Sequence, residues 1–209
     1  MRQLSTPCSG CCCQVVAVAV ADHDHDHDHV NNNHEIDETG FMLQPVVRRT
    51  WAPRGDTPIH RRSERHDRLT TIGALTVSPK QRRLGLYFRL DEQNATTDSV
   101  TRFVATLRRQ LRRALWIIWD RLNVHRSAVR KLSDHYGTDI VFDFLPGYAP
   151  QLNPVERVWS HTKYGQLANY LPQDLRELGE RVTECLSAKK NNHDLLHAFF
   201  RHAGLLLPR

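Results

Sequence analysis

Five consecutive apolar residues, Leu115 to Trp119, run directly into a carboxylate at Asp120. A short apolar run without polar alternation reads as a strand buried on both faces, so helices must cover the sheet above and below it. The flanking sequence supplies the other elements. Thr70 to Val77 alternates small, apolar and polar residues as a strand does. Arg83 to Leu90 sets Leu84, Leu86 and Phe88 on one face and Gly85, Tyr87 and Arg89 on the other. Behind an N-cap at Thr97 or Asp98, Val100, Phe103, Val104, Leu107 and Leu111 recur at helical steps. Ser127 to Tyr136 reads as a helix stopped by Gly137, and Ile140 to Leu145 as a further strand. A stiff loop follows through Pro146, Gly147 and Pro150. Pro154 then opens a helix that turns Val155, Val158 and Trp159 inward, and beyond Pro172 an amphipathic helix runs from Asp174 to Ser187. Strands first and then strand–helix alternation predict an α/β fold, a mixed β-sheet flanked by helices.

The chain changes character near residue 35. Before it lie Cys8, Cys11, Cys12 and Cys13, an Ala/Val alternation, an Asp-His repeat from Asp22 to His29, and Asn31 to Asn33. No core-forming period runs through this tract, which predicts a disordered N-terminal tail over residues 1–34. Its imidazoles and carboxylates are metal ligands, so a metal-sequestering module stands beside the simpler reading of a flexible tail that binds metal loosely. Five cysteines, four of them crowded at one end, do not make a disulfide framework. The apolar run from Val15 to Ala21 is far too short to span a bilayer. Small residues follow it as in a secretory signal, but Arg2 and the cysteine cluster precede it, and a reducing, cytoplasmic setting is the expectation. The net charge of +6 suits a polyanionic partner. One face of the first helix gathers Arg102, Arg108, Arg109, Arg112 and Arg113, either a solvated face or a surface for DNA phosphates.

Three acids stand at the ends of predicted elements: Asp37 after a minimal first strand at Ile36, Asp120 after the buried strand, and Glu156 in the first turn of the late helix. Carboxylates at such ends can converge at one edge of a sheet. Three hard oxygen ligands with open positions suit Mg2+ or Mn2+, and two such ions can serve an in-line phosphoryl displacement. The same residues also admit a plain account: many acids fall at element ends, and Glu156 is well placed on a helix dipole.

The segment LPGYAPQLNPVERVW, Leu145 to Trp159, resembles the third-carboxylate motif of mariner-type bacterial insertion-sequence transposases of the DDE superfamily. WDRLNVHRS, Trp119 to Ser127, is similar to that family's second-carboxylate block. DETG, Asp37 to Gly40, is similar to the first, and TWAPRGDTP, Thr50 to Pro58, to the element that follows it. The resemblance covers roughly residues 35 to 170. It implies an RNase H-like fold, divalent-metal-dependent DNA cleavage at transposon ends and strand transfer into target DNA. Asp37, Asp120 and Glu156 would then be the catalytic metal ligands, holding two Mg2+ or Mn2+ ions. His125 and Asn153 would stand behind these ligands or contact DNA, or else be a solvated helix-start residue and an ordinary N-cap. Trp51, Trp116, Trp119 and Trp159 read as core or loop anchors rather than base-stacking platforms. The implied partner is double-stranded DNA, bound by a homodimer at the nucleoid, with no membrane.

Against this pattern, the Asp-His and Asn tract occupies the place of a helix-turn-helix region and of an apolar first strand, so the chain reads as N-terminally truncated. Asn33, His34 and Glu35 are expected to fail as a buried central strand, which would misplace Asp37. Arg121 stands where the family often has Asn. The division predicted is a tail over 1–34, a catalytic domain over 35–187 and a helical extension over 188–209. The competing function is a catalytically inert remnant that binds DNA non-specifically through its arginines.

Overall fold

The computed structural model describes residues 33–54, 67–78, 83–147 and 149–207. The cysteine cluster and Asp-His repeat lie outside the described residues, as does the second half of the Thr50 to Pro58 element. A five-stranded mixed sheet forms the centre, in the order β3-β2-β1-β4-β5. Its strands are β1 (Asn33–Met42), β2 (Arg68–Val77), β3 (Leu84–Asp91), β4 (Leu115–Trp119) and β5 (Ile140–Phe144). The helices are α1 (Thr97–Leu111), α2 (Asn123–Tyr136), α3 (Pro154–His161), α4 (Leu175–Lys190) and α5 (His193–His202). Strands β1, β2 and β3 pair antiparallel, whereas β1–β4 and β4–β5 are parallel.

The first strand corrects the sequence expectation. It is a full strand at the centre of the sheet, paired with β2 from His34 to Met42 and with β4 from Asn33 to Glu35. Pairing is made by backbone amides and carbonyls, which polar residues supply as well as apolar ones. Ile36 and Phe41, both buried, anchor it to opposite faces of the sheet. Asp37 therefore lies within the strand rather than after it.

Each face of the sheet has its own core, as the Leu115 to Trp119 run demanded. Leu115, Ile117 and Trp119 join Ile36, Ile72 and the apolar stripes of α1 and α2. On the other face Phe41, Leu75, Val77 and Leu86 pack with α3, α4 and α5. Helix α4 continues to Lys190, and α5 adds Leu196, Phe199 and Phe200 to this same core. Helix α1 is capped one residue earlier than expected: Thr96 and Ser99 form a reciprocal capping box. Among the described residues no helix is long and apolar enough to cross a membrane.

Gly73 of β2 lies opposite Asp37 of β1. A Cβ placed there would stand 2.4 Å and 2.7 Å from two carbons of the Trp159 ring, so only glycine lets that indole lie on the sheet. Because Trp159 is itself buried, the ring has no free space into which to retreat. Gly73→Ala is therefore expected to cost about 2 kcal/mol, or roughly 4–8 °C in Tm, read by thermal denaturation.

Candidate active site

Adjacent residues on a strand point to opposite faces, and the Asp37-Glu38 pair uses both. Asp37 faces α3. Its carboxylate accepts the backbone N–H of Glu38 at 2.9 Å and the indole N–H of Trp159 at 3.2 Å. Glu38 faces α2 and meets His125 Nε2, at 2.9 Å and 3.1 Å from its two oxygens. Asp120 sits one residue past β4, and its Oδ1 lies 2.6 Å from His125 Nδ1 while accepting the Leu122 N–H at 3.0 Å. Glu156 is the third residue of α3. Asn153 caps that helix by accepting the Val155 N–H at 2.9 Å, and Pro154 fills its first position.

Asp37, Asp120, Asn153 and Glu156 line one pocket of about 520 Å³, with Arg121 and Arg126 at its wall. A strand interior, a strand end and a helix start thus bring the three acids to one pocket, with Asp37 inside β1 and not displaced from it. His125 is not a solvated helix-start residue. It is fully buried, its ring stacked on Trp119 with centroids 4.7 Å apart and planes 4° from parallel. Asn153 is both a buried cap and a pocket residue.

The arginines of α1 are elsewhere. Arg112 and Arg113 precede the start of β4, whereas Asp120 follows its end, and Arg108 is paired with Asp139 at 2.6 Å. Arg102, Arg109, Arg112 and Arg113 are exposed and none lines the carboxylate pocket. Trp119 and Trp159 are core anchors and Trp116 donates to Asp143 at 2.6 Å, but Trp51 is fully exposed rather than an anchor. Glu38, Arg126 and Lys163 are absent from the site expected from sequence, and Arg121 figures there only as a departure from the family pattern. Strand alternation through Asp37-Glu38 and the two helical turns from Glu156 to Lys163 were the available signals.

Electrostatics set the character of the pocket. Burial first, then the charges of Glu156, Glu38 and Asp120, push the Asp37 carboxyl up to about 8. Burial opposes a charge on His125, but its hydrogen bonds to Asp120 and Glu38 outweigh it and push the imidazole up to about 10. Burial works against Asp120 ionisation as well, and the His125 and Leu122 hydrogen bonds hold that carboxyl below its usual value. Lys163 donates to Thr39 and faces Glu156 and Asp37, with burial lowering its amine. Among the described residues no group of three or more His, Cys, Asp or Glu already forms a metal cage. The donor set nevertheless fits a hard cation: a carboxyl raised first by burial and then by the charges of neighbouring acids is what a divalent ion relieves.

His125→Ala leaves two carboxylates facing an emptied buried slot and is expected to destabilise the chain by about 3 kcal/mol in chemical denaturation. Both raised groups bind protons more tightly in the folded state. The His125 contribution is complete below pH 6.5 and lost as pH rises through about 10, and the Asp37 contribution fades as pH rises through about 8. The Tm of the metal-free chain should therefore fall between pH 6.5 and 9, and His125→Ala should flatten that slope.

A family model described as DDE superfamily endonuclease matches residues 35–179. No curated protein matches the chain. Among solved structures, the chain is similar to the Mos1 strand transfer complex, at 17% identity and TM-score 0.56, over 84% of this chain and 51% of that one. It is similar also to the Mos1 mariner paired end complex with Mn, at 15% identity and TM-score 0.58, over 82% and 53%. The corresponding complex with Mg gives 14% identity and TM-score 0.57, again over 82% and 53%. The chain thus spans about half the length of the Mos1 chains it matches, and the likeness establishes an RNase H-like fold. With the family model covering most of its length, the chain belongs to the DDE superfamily of endonucleases.

Proposed function

We propose that this chain is the catalytic domain of a DNA transposase, performing divalent-metal-dependent phosphodiester hydrolysis and strand transfer at transposon ends. The observation that carries the reading is the convergence of Asp37, Asp120 and Glu156 on one pocket, with the Asp37 carboxyl pushed up to about 8. Strong perturbation by burial and like charge in a cleft marks a functional site more often than a structural one. The similar Mos1 complexes, one with Mn and one with Mg, support the same metal preference.

In this reading Asp37, Asp120 and Glu156 hold two Mg2+ or Mn2+ ions. Bound there, the ions would activate the attacking oxygen and stabilise the leaving one in an in-line displacement. The protein supplies position. Trp159 fixes the Asp37 carboxylate, His125 fixes Asp120, and the Asn153 cap fixes the first turn that carries Glu156. Arg121 and Arg126 bring positive charge to the pocket wall, where the phosphate backbone of double-stranded DNA enters. The exposed α1 arginines extend non-specific attraction away from the cut site. A homodimer on DNA, at the nucleoid of a bacterial host, completes the proposal.

Purified chain should nick supercoiled plasmid with Mn2+ or Mg2+ and stop doing so when the ion is chelated. Asp120→Asn should abolish nicking with the fold intact, and nicking that survives this change would sink the proposal. A cation replaces the proton that Asp37 carries below about pH 8. Mn2+ affinity should therefore rise by about tenfold per pH unit on approaching pH 8 and then level off, as measured by calorimetry.

A further inference from the structure

Among the described residues, Asp120 is engaged on one side only. His125 Nδ1 at 2.6 Å and the Leu122 N–H at 3.0 Å both fall on Oδ1, which leaves Oδ2 for the pocket. His125 owes its pose to the other end of its ring, where Nε2 meets both Glu38 oxygens. Neither partner is loosely held: His125 has no exposure and the Glu38 side chain retains 10%. Water cannot replace a lost partner in such a slot, so an unpaired Nε2 would drive the ring to turn or the strand to shift. Trp119 fixes the plane of the ring by stacking, and Glu38 fixes its rotation within that plane.

We propose that Glu38 is a positioning residue of the metal centre: acting through His125, it commits Oδ1 of Asp120 to the protein and leaves Oδ2 as that residue's single ligand oxygen for a divalent cation. The inference rests on the reading of Asp120 as a metal ligand. The two acids of β1 then divide the work across the sheet. Asp37 reaches the pocket directly from the α3 face, and Glu38 reaches it through His125 from the α2 face. A supporting hydrogen bond of this kind orients a ligand before any ion arrives.

The test is Mn2+ titration of the full chain, with free ion followed by electron paramagnetic resonance and folding by circular dichroism. Glu38→Gln and Glu38→Leu both remove the charge, but only Gln keeps a partner for Nε2. Their difference reads the hydrogen bond alone. Glu38→Leu should bind Mn2+ about tenfold or more weakly than Glu38→Gln. His125→Phe keeps the ring stack and removes a positive charge, which by itself would favour a cation. It should nevertheless bind more weakly than the native chain, and it carries the test alone if Glu38→Leu does not fold. Equal affinities for the two Glu38 variants, or native affinity in His125→Phe, would overturn the proposal. If Asp120→Asn binds Mn2+ as the native chain does, the metal-centre reading falls and this inference with it. If Asp120→Asn loses binding while the Glu38 variants match, only the role of Glu38 is removed.

Discussion

A carboxyl group in the middle of a buried strand must be held, and Asp37 is held by the indole of Trp159. That contact depends on Gly73, whose missing side chain lets the ring lie against the sheet beside β1. It also sets the pose of α3. Glu156 and Trp159 are three residues apart, hence on neighbouring parts of the same helix face, so seating the indole brings Glu156 to the same pocket as Asp37. Asn153 and Pro154 define where that helix begins. One close approach between ring and sheet therefore fixes two of the three carboxylates.

The pocket so built is electrostatically unfavourable on its own. Burial and three neighbouring acids keep a proton on Asp37 at neutral pH, a cost the fold carries with only partial compensation. The imidazolium of His125 offsets Asp120 and Glu38 from beneath the sheet, and Lys163 approaches Glu156 and Asp37 from the helix side. Neither removes the burial and like charge that crowd the pocket. A site that is strained when empty and relaxed by a cation stores affinity for that cation. The same crowding would make little sense as scaffolding, because apolar residues of similar size would pack the space at lower cost.

Much of this was legible in the chain. The apolar run before Asp120 required a two-sided sheet, and Pro154 marked the start of the helix bearing Glu156. The first strand was not legible, because its leading residues are polar while the pairing of β1 with β2 and β4 is made by backbone. The arginine-rich face of α1 stands out by composition, yet helix direction carries Arg108, Arg109, Arg112 and Arg113 to the opposite end of β4 from Asp120, and none of them lines the pocket. Arg126 stands in the pocket with no such local signal, placed there by the turn from β4 into α2. The family resemblance set His125 behind the ligands or against DNA, with a solvated helix start as the alternative, and only the third dimension, through Glu38 of a distant strand, reveals why it is buried.

The central claim is that Asp37, Asp120 and Glu156 form one divalent-cation centre. Anomalous scattering from a crystal of the chain grown with Mn2+ tests it most directly. The account predicts manganese density within bonding distance of oxygens from all three residues, with Asp120 contributing Oδ2 alone. Manganese bound elsewhere, or three carboxylates that remain without density at saturating ion, would contradict it.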